Sequence, residues 1–97
     1  MKKPIRILAI ETSSPHLSLV VGDETRVLAH YAGLQDSRHA EQLFEGLEKI
    51  LKQARCPIQA LTGVAVSIGP GSFTGIRIGL SAARALAQFL KIPLVGI

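Results

Sequence analysis

Ser67-Ile68-Gly69-Pro70-Gly71-Ser72-Phe73-Thr74-Gly75-Ile76-Arg77-Ile78-Gly79 brings a strand end, a glycine turn and a helix start together without a spare residue between them. The run leading into it, Gly63-Val64-Ala65-Val66-Ser67-Ile68, is short, apolar and β-branched, which predicts a strand buried on both faces of a parallel or mixed sheet. Gly69-Pro70-Gly71 breaks it, because glycine tolerates positive φ while proline fixes φ and removes a donor. Ser72 or Thr74 stands where a side-chain oxygen caps the first turn of the next helix. A glycine turn feeding a helix N-terminus can hold an anion. It is also the chemistry of a plain strand-to-helix turn, and the Gly-Lys-Ser/Thr of a Walker loop is absent.

The helix that follows, over 74–90, is apolar on two sides. At about 100° per residue, Ile76, Gly79, Leu80, Ala83, Leu86, Ala87 and Leu90 fall on one side and Ile78, Ala82, Ala85 and Phe89 nearly opposite. Arg77, Ser81, Arg84 and Gln88 are left as a polar wedge roughly 60° wide. A helix apolar nearly all round is expected to be buried nearly all round. One side can rest on the sheet; the other needs the preceding helix or another chain. Gly75, Gly79, Ala83 and Ala87 form a small-residue stripe that would let another backbone approach closely.

Upstream, Ile5 to Glu11 reads as a central strand ending in a carboxylate, and Thr12-Ser13-Ser14-Pro15 as a turn. His16 to Val21 and Arg26 to Ala32, joined by Gly22-Asp23-Glu24-Thr25, complete three antiparallel strands. Around Gln35-Asp36-Ser37-Arg38 the period changes from two to about 3.6, with Asp36 or Ser37 as N-cap. A helix over 39–55 then repeats Ala40, Leu43, Phe44, Leu47, Ile50, Leu51 and Ala54 at three- and four-residue steps, acids leading and bases trailing. Cys56-Pro57 ends it, the chain re-enters the sheet at Val64, and Ile92 to Ile97 begins a fifth strand. Ending in mid-strand is unusual for a complete α/β domain.

Ninety-seven residues make one small domain, and 47% hydrophobic content without low complexity argues for a folded one. Ile5 to Ile10 is too short for a signal segment and no apolar run spans a membrane, so a cytoplasmic protein is expected. A single Cys56 excludes an internal disulfide, and no Cys or His pair has zinc spacing, so no metal site is expected. Cys56 reads as a small apolar residue at a helix end, with no nearby His to activate it. The net charge of +4, spread along the chain, permits RNA contact without arguing for it.

The order strand-strand-strand-helix-strand-helix-strand, with an acid closing the first strand, resembles an α/β half-domain of the ribonuclease H-like type. It is the repeat unit of the actin, sugar-kinase and heat-shock-chaperone (ASKHA) folds, with a mixed five-stranded sheet. Ile10-Glu11-Thr12-Ser13-Ser14, Arg38-His39-Ala40-Glu41, the glycine segment 69–79 and Ile92-Pro93-Leu94-Val95-Gly96 closely resemble the TsaB (YeaZ) family. Glu11 stands where many relatives carry Asp, and the chain covers only the family's N-terminal half, so the resemblance implies residues 1–97 as one actin-like ATPase domain without the second lobe.

The resemblance implies a non-catalytic scaffold in the synthesis of N6-threonylcarbamoyladenosine in tRNA. It would hold a TsaD-type catalytic paralogue through its two helices, alongside a TsaE-type ATPase, or pair with itself through the same surface. That surface is expected on His39, Leu43, Leu47 and Ile50 of the first helix and Gly75, Ile76, Gly79, Leu80, Ala83 and Ala87 of the second. Residues near an anion or nucleotide are expected at Glu11, Thr12, Ser13, Gly69, Gly71, Ser72 and Thr74. ATP would be used by the complex, with no cofactor bound by this half alone, and tRNA would be engaged only indirectly.

The alternative is a catalytic TsaD-like threonylcarbamoyltransferase or a glycoprotease-type metallopeptidase. Its candidate ligands His16, His30 and His39 have no mutual metal spacing and read as solvated or capping residues. A two-metal nuclease would need several carboxylates, and the strand Val64 to Ile68 supplies none beside Glu11.

Overall fold

The computed structural model describes residues 4–12, 16–34, 39–70 and 73–97. It contains β1 (Ile7–Glu11), β2 (His16–Gly22), β3 (Val27–Leu34), α1 (His39–Gln53), a 3-10 turn (Ile58–Ala60), β4 (Gly63–Val66), α2 (Phe73–Leu90) and β5 (Leu94–Gly96). The expected N-caps Asp36, Ser37 and Ser72 lie outside the described residues, as does the side chain of Thr74.

The five strands form one sheet in the order β3-β2-β1-β4-β5. Ile10 lies opposite Leu19 of antiparallel β2 and beside Val66 of parallel β4, and Val64 beside Leu94 of parallel β5. Alternation sends Leu8 and Ile10, Leu17, Leu19 and Val21, and Val64 and Val66 to one face, where all are at most 4% exposed. Both helices pack on that face, α1 over β2 and β3, α2 over β1 and β4. On the other face Ile7, Ala9, Val20 and Ala65 are only half-buried. The expectation that β4 is buried on both faces is therefore corrected: parallel crossovers put both helices on the same side.

Boundaries differ from the periodicity by at most two residues. Arg6 N donates to Thr62 Oγ1 at 2.9 Å, so a side chain takes the place of a ladder partner and β1 begins at Ile7. α1 stops at Gln53 because Arg55 takes left-handed backbone, φ 51°, and Cys56 N donates to Leu51 O at 2.9 Å, the usual closure of a helix C-terminus. Gly69 takes positive φ, 120°, as the turn reading requires, and its bond to Pro70 is cis.

α1 reaches the sheet closely at one point. Gly46 is buried beneath the ring of Tyr31, and a Cβ there would collide with Tyr31 Cε1 and Cδ1 and stand 3.1 Å from Leu19 Cδ1. Gly46→Ala is expected to cost about 1–3 kcal/mol of stability by overpacking, despite alanine's better helix propensity. Chemical denaturation compared with an exposed control, Gln53→Ala, checks this.

Candidate protein-docking site

Between the helices the sheet is not fully roofed. A trough floored by Leu8, Ile10 and Leu19 is walled by Leu43, Phe44 and Leu47 of α1 and by Ala82, Ala85, Leu86 and Phe89 of α2, and encloses about 200 Å³. Toward the start of α2 it widens to about 460 Å³ beside Ile78, Arg77 and Ser81. Along α1 it continues past Leu51 to Cys56 and Ile58, where Glu48, Lys52 and Arg55 rim it. Ala82 and Ala85 are too short to fill the gap. Phe44 is 60% and Phe89 77% exposed, so each wall ends in an aromatic ring that the domain does not cover. Apolar lining with exposed aromatics and a polar rim is the composition of a protein-binding surface.

The small-residue stripe lies elsewhere. Ala83 and Ala87 are 0% and 5% exposed in the domain's own core, and Gly75 and Gly79 are buried as well. Thr12, 1% exposed at the end of β1, donates from Oγ1 to Gly75 O at 2.5 Å. A Cβ on Gly79 would collide with Thr12 Oγ1. The close approach that the stripe allows is thus to β1 of the same chain, which corrects the expectation that Gly75, Gly79, Ala83 and Ala87 meet a partner. Leu43 and Ile50, 2% and 0% exposed, are likewise core residues, although Leu43 also lines the trough. Leu47, Ile76 and Leu80 are half-buried, and the side chain of His39 lies outside the described residues.

The uncovered side of α2 is the other one on the helical wheel: Ile78, Ala82, Ala85 and Phe89. Their apolar character was legible. Which of the two sides faces the sheet was not, and the three- and four-residue steps of the first helix do not separate the exposed Phe44 from its buried neighbours.

Thr12 also departs from the anion-binding expectation, since its hydroxyl is buried and bonded to a carbonyl. Ser13, Gly71 and Ser72 lie outside the described residues. Glu11 is half-buried on the open sheet face and shares a shallow hollow of about 210 Å³ with Ser18, Ser67 and Ile97. Ser18 Oγ and His30 Nε2 are 3.1 Å apart on that face. Among the described residues no three His, Cys, Asp or Glu side chains gather to hold a metal ion, and no helix is long and apolar enough to cross a membrane. Cys56 is 5% exposed, and burial pushes its thiol pKa up, partly opposed by the Arg6 charge.

The model of the family described as "TsaD: tRNA N6-adenosine threonylcarbamoyltransferase" matches residues 24–97. The chain belongs to the TsaB/TsaD family. The tRNA threonylcarbamoyladenosine biosynthesis protein TsaB of Buchnera aphidicola is 38% identical over 91 residues, 94% of this chain and 43% of that protein. A relative named tRNA N6-adenosine threonylcarbamoyltransferase, from Geotalea daltonii, is 36% identical over 85 residues, 84% of this chain and 25% of that protein. The chain thus spans less than half the length of these relatives. YeaZ from Pseudomonas aeruginosa superposes with a TM-score of 0.86 at 29% identity, over 95% of this chain and 43% of YeaZ. RuvC of T. thermophilus, solved with a Holliday junction substrate, superposes at 0.65 and 15% identity over 96% of this chain and 64% of RuvC. The ribonuclease H-like half-domain read from the order of the elements is the observed fold.

Two outcomes follow from the Thr12 contact and the buried thiol. Gly79→Ala is expected to destabilise by about 1–3 kcal/mol, with part of the loss recovered in Thr12→Ala/Gly79→Ala, since the smaller side chain at position 12 vacates the space; a double-mutant denaturation cycle reads the coupling. A raised pKa keeps Cys56 as the neutral thiol below its ordinary value of 9.0, with any stability linked to that form lost only as the pH rises past it. Labelling by a thiol reagent at pH 8 is therefore expected to wait on unfolding, and fast labelling of the native chain would contradict this burial.

Proposed function

We propose that this chain serves tRNA N6-threonylcarbamoyladenosine synthesis as a non-catalytic docking subunit, engaging a TsaD-type catalytic paralogue through the trough between α1 and α2. The observation that carries this is the pair of exposed rings, Phe44 and Phe89, flanking an apolar trough on a helix whose opposite side is already spent on the sheet. An aromatic anchor from a partner helix entering between Leu47 and Ala85 would be fully desolvated, the situation in which single side chains dominate binding. The TsaB name carried by relatives over 94% of this chain supports the pathway. A second copy of the chain would suit the same trough, as the resemblance to self-pairing relatives implies.

A catalytic role is the second reading, favoured by the description of the matching family model and by relatives named as the transferase. The two diverge in the laboratory. Phe89→Glu is expected to weaken association with a TsaD-type partner at least about 30-fold, the equivalent of about 2 kcal/mol for one aromatic anchor. Because Phe89 is 77% exposed, the isolated chain should lose no more than about 0.5 kcal/mol of stability. Light scattering during gel filtration, with and without the partner, reads both; an unchanged affinity would show that the trough is not the docking site. Threonylcarbamoyl transfer to tRNA by the chain alone, lost in Glu11→Ala, would favour the enzyme.

A further inference from the structure

The two helices end alike. Arg55 and Lys91 each take left-handed backbone, φ 51° and 56°. Each occupies the position where glycine is the usual residue, and the next amide closes the end: Cys56 N to Leu51 O at 2.9 Å, Ile92 N to Ala87 O at 3.0 Å. A cation suits the negative end of a helix dipole. It also carries a backbone cost that glycine would not, and both side chains are exposed.

Topology gathers further cations there. Strands β1, β4 and β5 run parallel, and each helix crosses back over them, so both helices end where these strands begin. Arg6 precedes β1, tied to Thr62 at the foot of β4, and its charge is felt by Cys56 beside Arg55. Arg26 closes the β2–β3 turn at the same end, where Gly22 pairs with Ile7 and with Val27. Lys52 lies in the last turn of α1. Arg6, Arg26, Lys52, Arg55 and Lys91 thus share one end of the domain with Asp23, Glu24 and, one turn before Lys52, Glu48 among the described carboxylates. Asp23 is already engaged, accepting from Thr25 N at 2.8 Å, Thr25 Oγ1 at 3.0 Å and Arg26 N at 2.9 Å.

We propose that this cationic end binds the phosphate backbone of RNA directly. With neighbouring strands about 4.8 Å apart, the cations are spread across roughly 20 Å, a scale suited to a run of phosphates. Tyr31, Phe44 and Phe89 lie on the helix-covered side of the sheet, so base stacking contributes little and binding is sequence-tolerant and salt-dependent. The large apolar side chains exposed toward this end, Ile5, Val27 and Phe89, are too few to seat the domain in a bilayer. Lys52 and Arg55 also rim the far end of the docking trough, whereas Arg6, Arg26 and Lys91 do not line it, so RNA affinity is read on the chain without a protein partner.

Fluorescence anisotropy of a labelled RNA stem-loop, titrated with the whole chain over a series of salt concentrations, tests this. Arg55→Gly/Lys91→Gly removes two cations and supplies the residue that left-handed positions favour, so the melting temperature should hold or rise. RNA affinity should fall about tenfold, and the slope of log Kobs against log salt should flatten by about 1.4 to 1.8. Lys49→Gln/Arg84→Gln, an equal charge change about one turn or more inside the helix ends, should leave affinity within about twofold. Equal losses in both pairs, unchanged binding in the glycine pair, or binding to phosphatidylglycerol vesicles without binding to RNA would each overturn the proposal.

Discussion

Thr12 sits in the notch that Gly79 leaves in α2, and its hydroxyl donates to the carbonyl of Gly75. This contact fixes the end of the central strand against the first turns of the helix, and the rest of the helix layer depends on it. A side chain on Gly79 would lift α2 from the sheet, and a different rotation of α2 would bury Phe89 and expose Ala83. With the contact made, Ala83 and Ala87 pack on β1 and β4, and the second apolar side of the helix turns outward.

α1 meets an analogous constraint at Gly46, where the ring of Tyr31 takes the place of a side chain. Two helices that each approach the sheet through a glycine lie low on it, yet alanines at 82 and 85 keep them from closing on each other. The trough is the consequence. Leucine at those positions would fill it and complete the core of an isolated domain. The small residues leave instead an apolar surface that water covers poorly, and the proposed partner would supply the missing layer.

The same topology sorts charge. Helices that return over parallel strands end where the strands begin, so side chains distant in sequence, from Arg6 to Lys91, share one end of the molecule. Read along the chain, those cations are scattered and the net charge is mild. The clustering exists only once Ile7, Gly63 and Val64 are in register.

The element order, the glycine turn at Gly69 and the family were legible in the residues themselves, because hydrophobic period, proline and positive-φ glycine are local properties of the chain. Element ends were legible to within two residues, the limit being set by contacts such as Thr62 Oγ1 to Arg6 and by the left-handed closure at Arg55. The two apolar sides of α2 were legible as well, but which of them faces inward was not. A helical wheel fixes angles between side chains of one helix and leaves its rotation about its own axis free. In this chain that rotation is set by a hydroxyl 63 residues away. The candidate site therefore moved from the small-residue stripe to Ile78, Ala85 and Phe89: sequence determined that α2 has two faces to bury, and tertiary contact decided which one the domain left open.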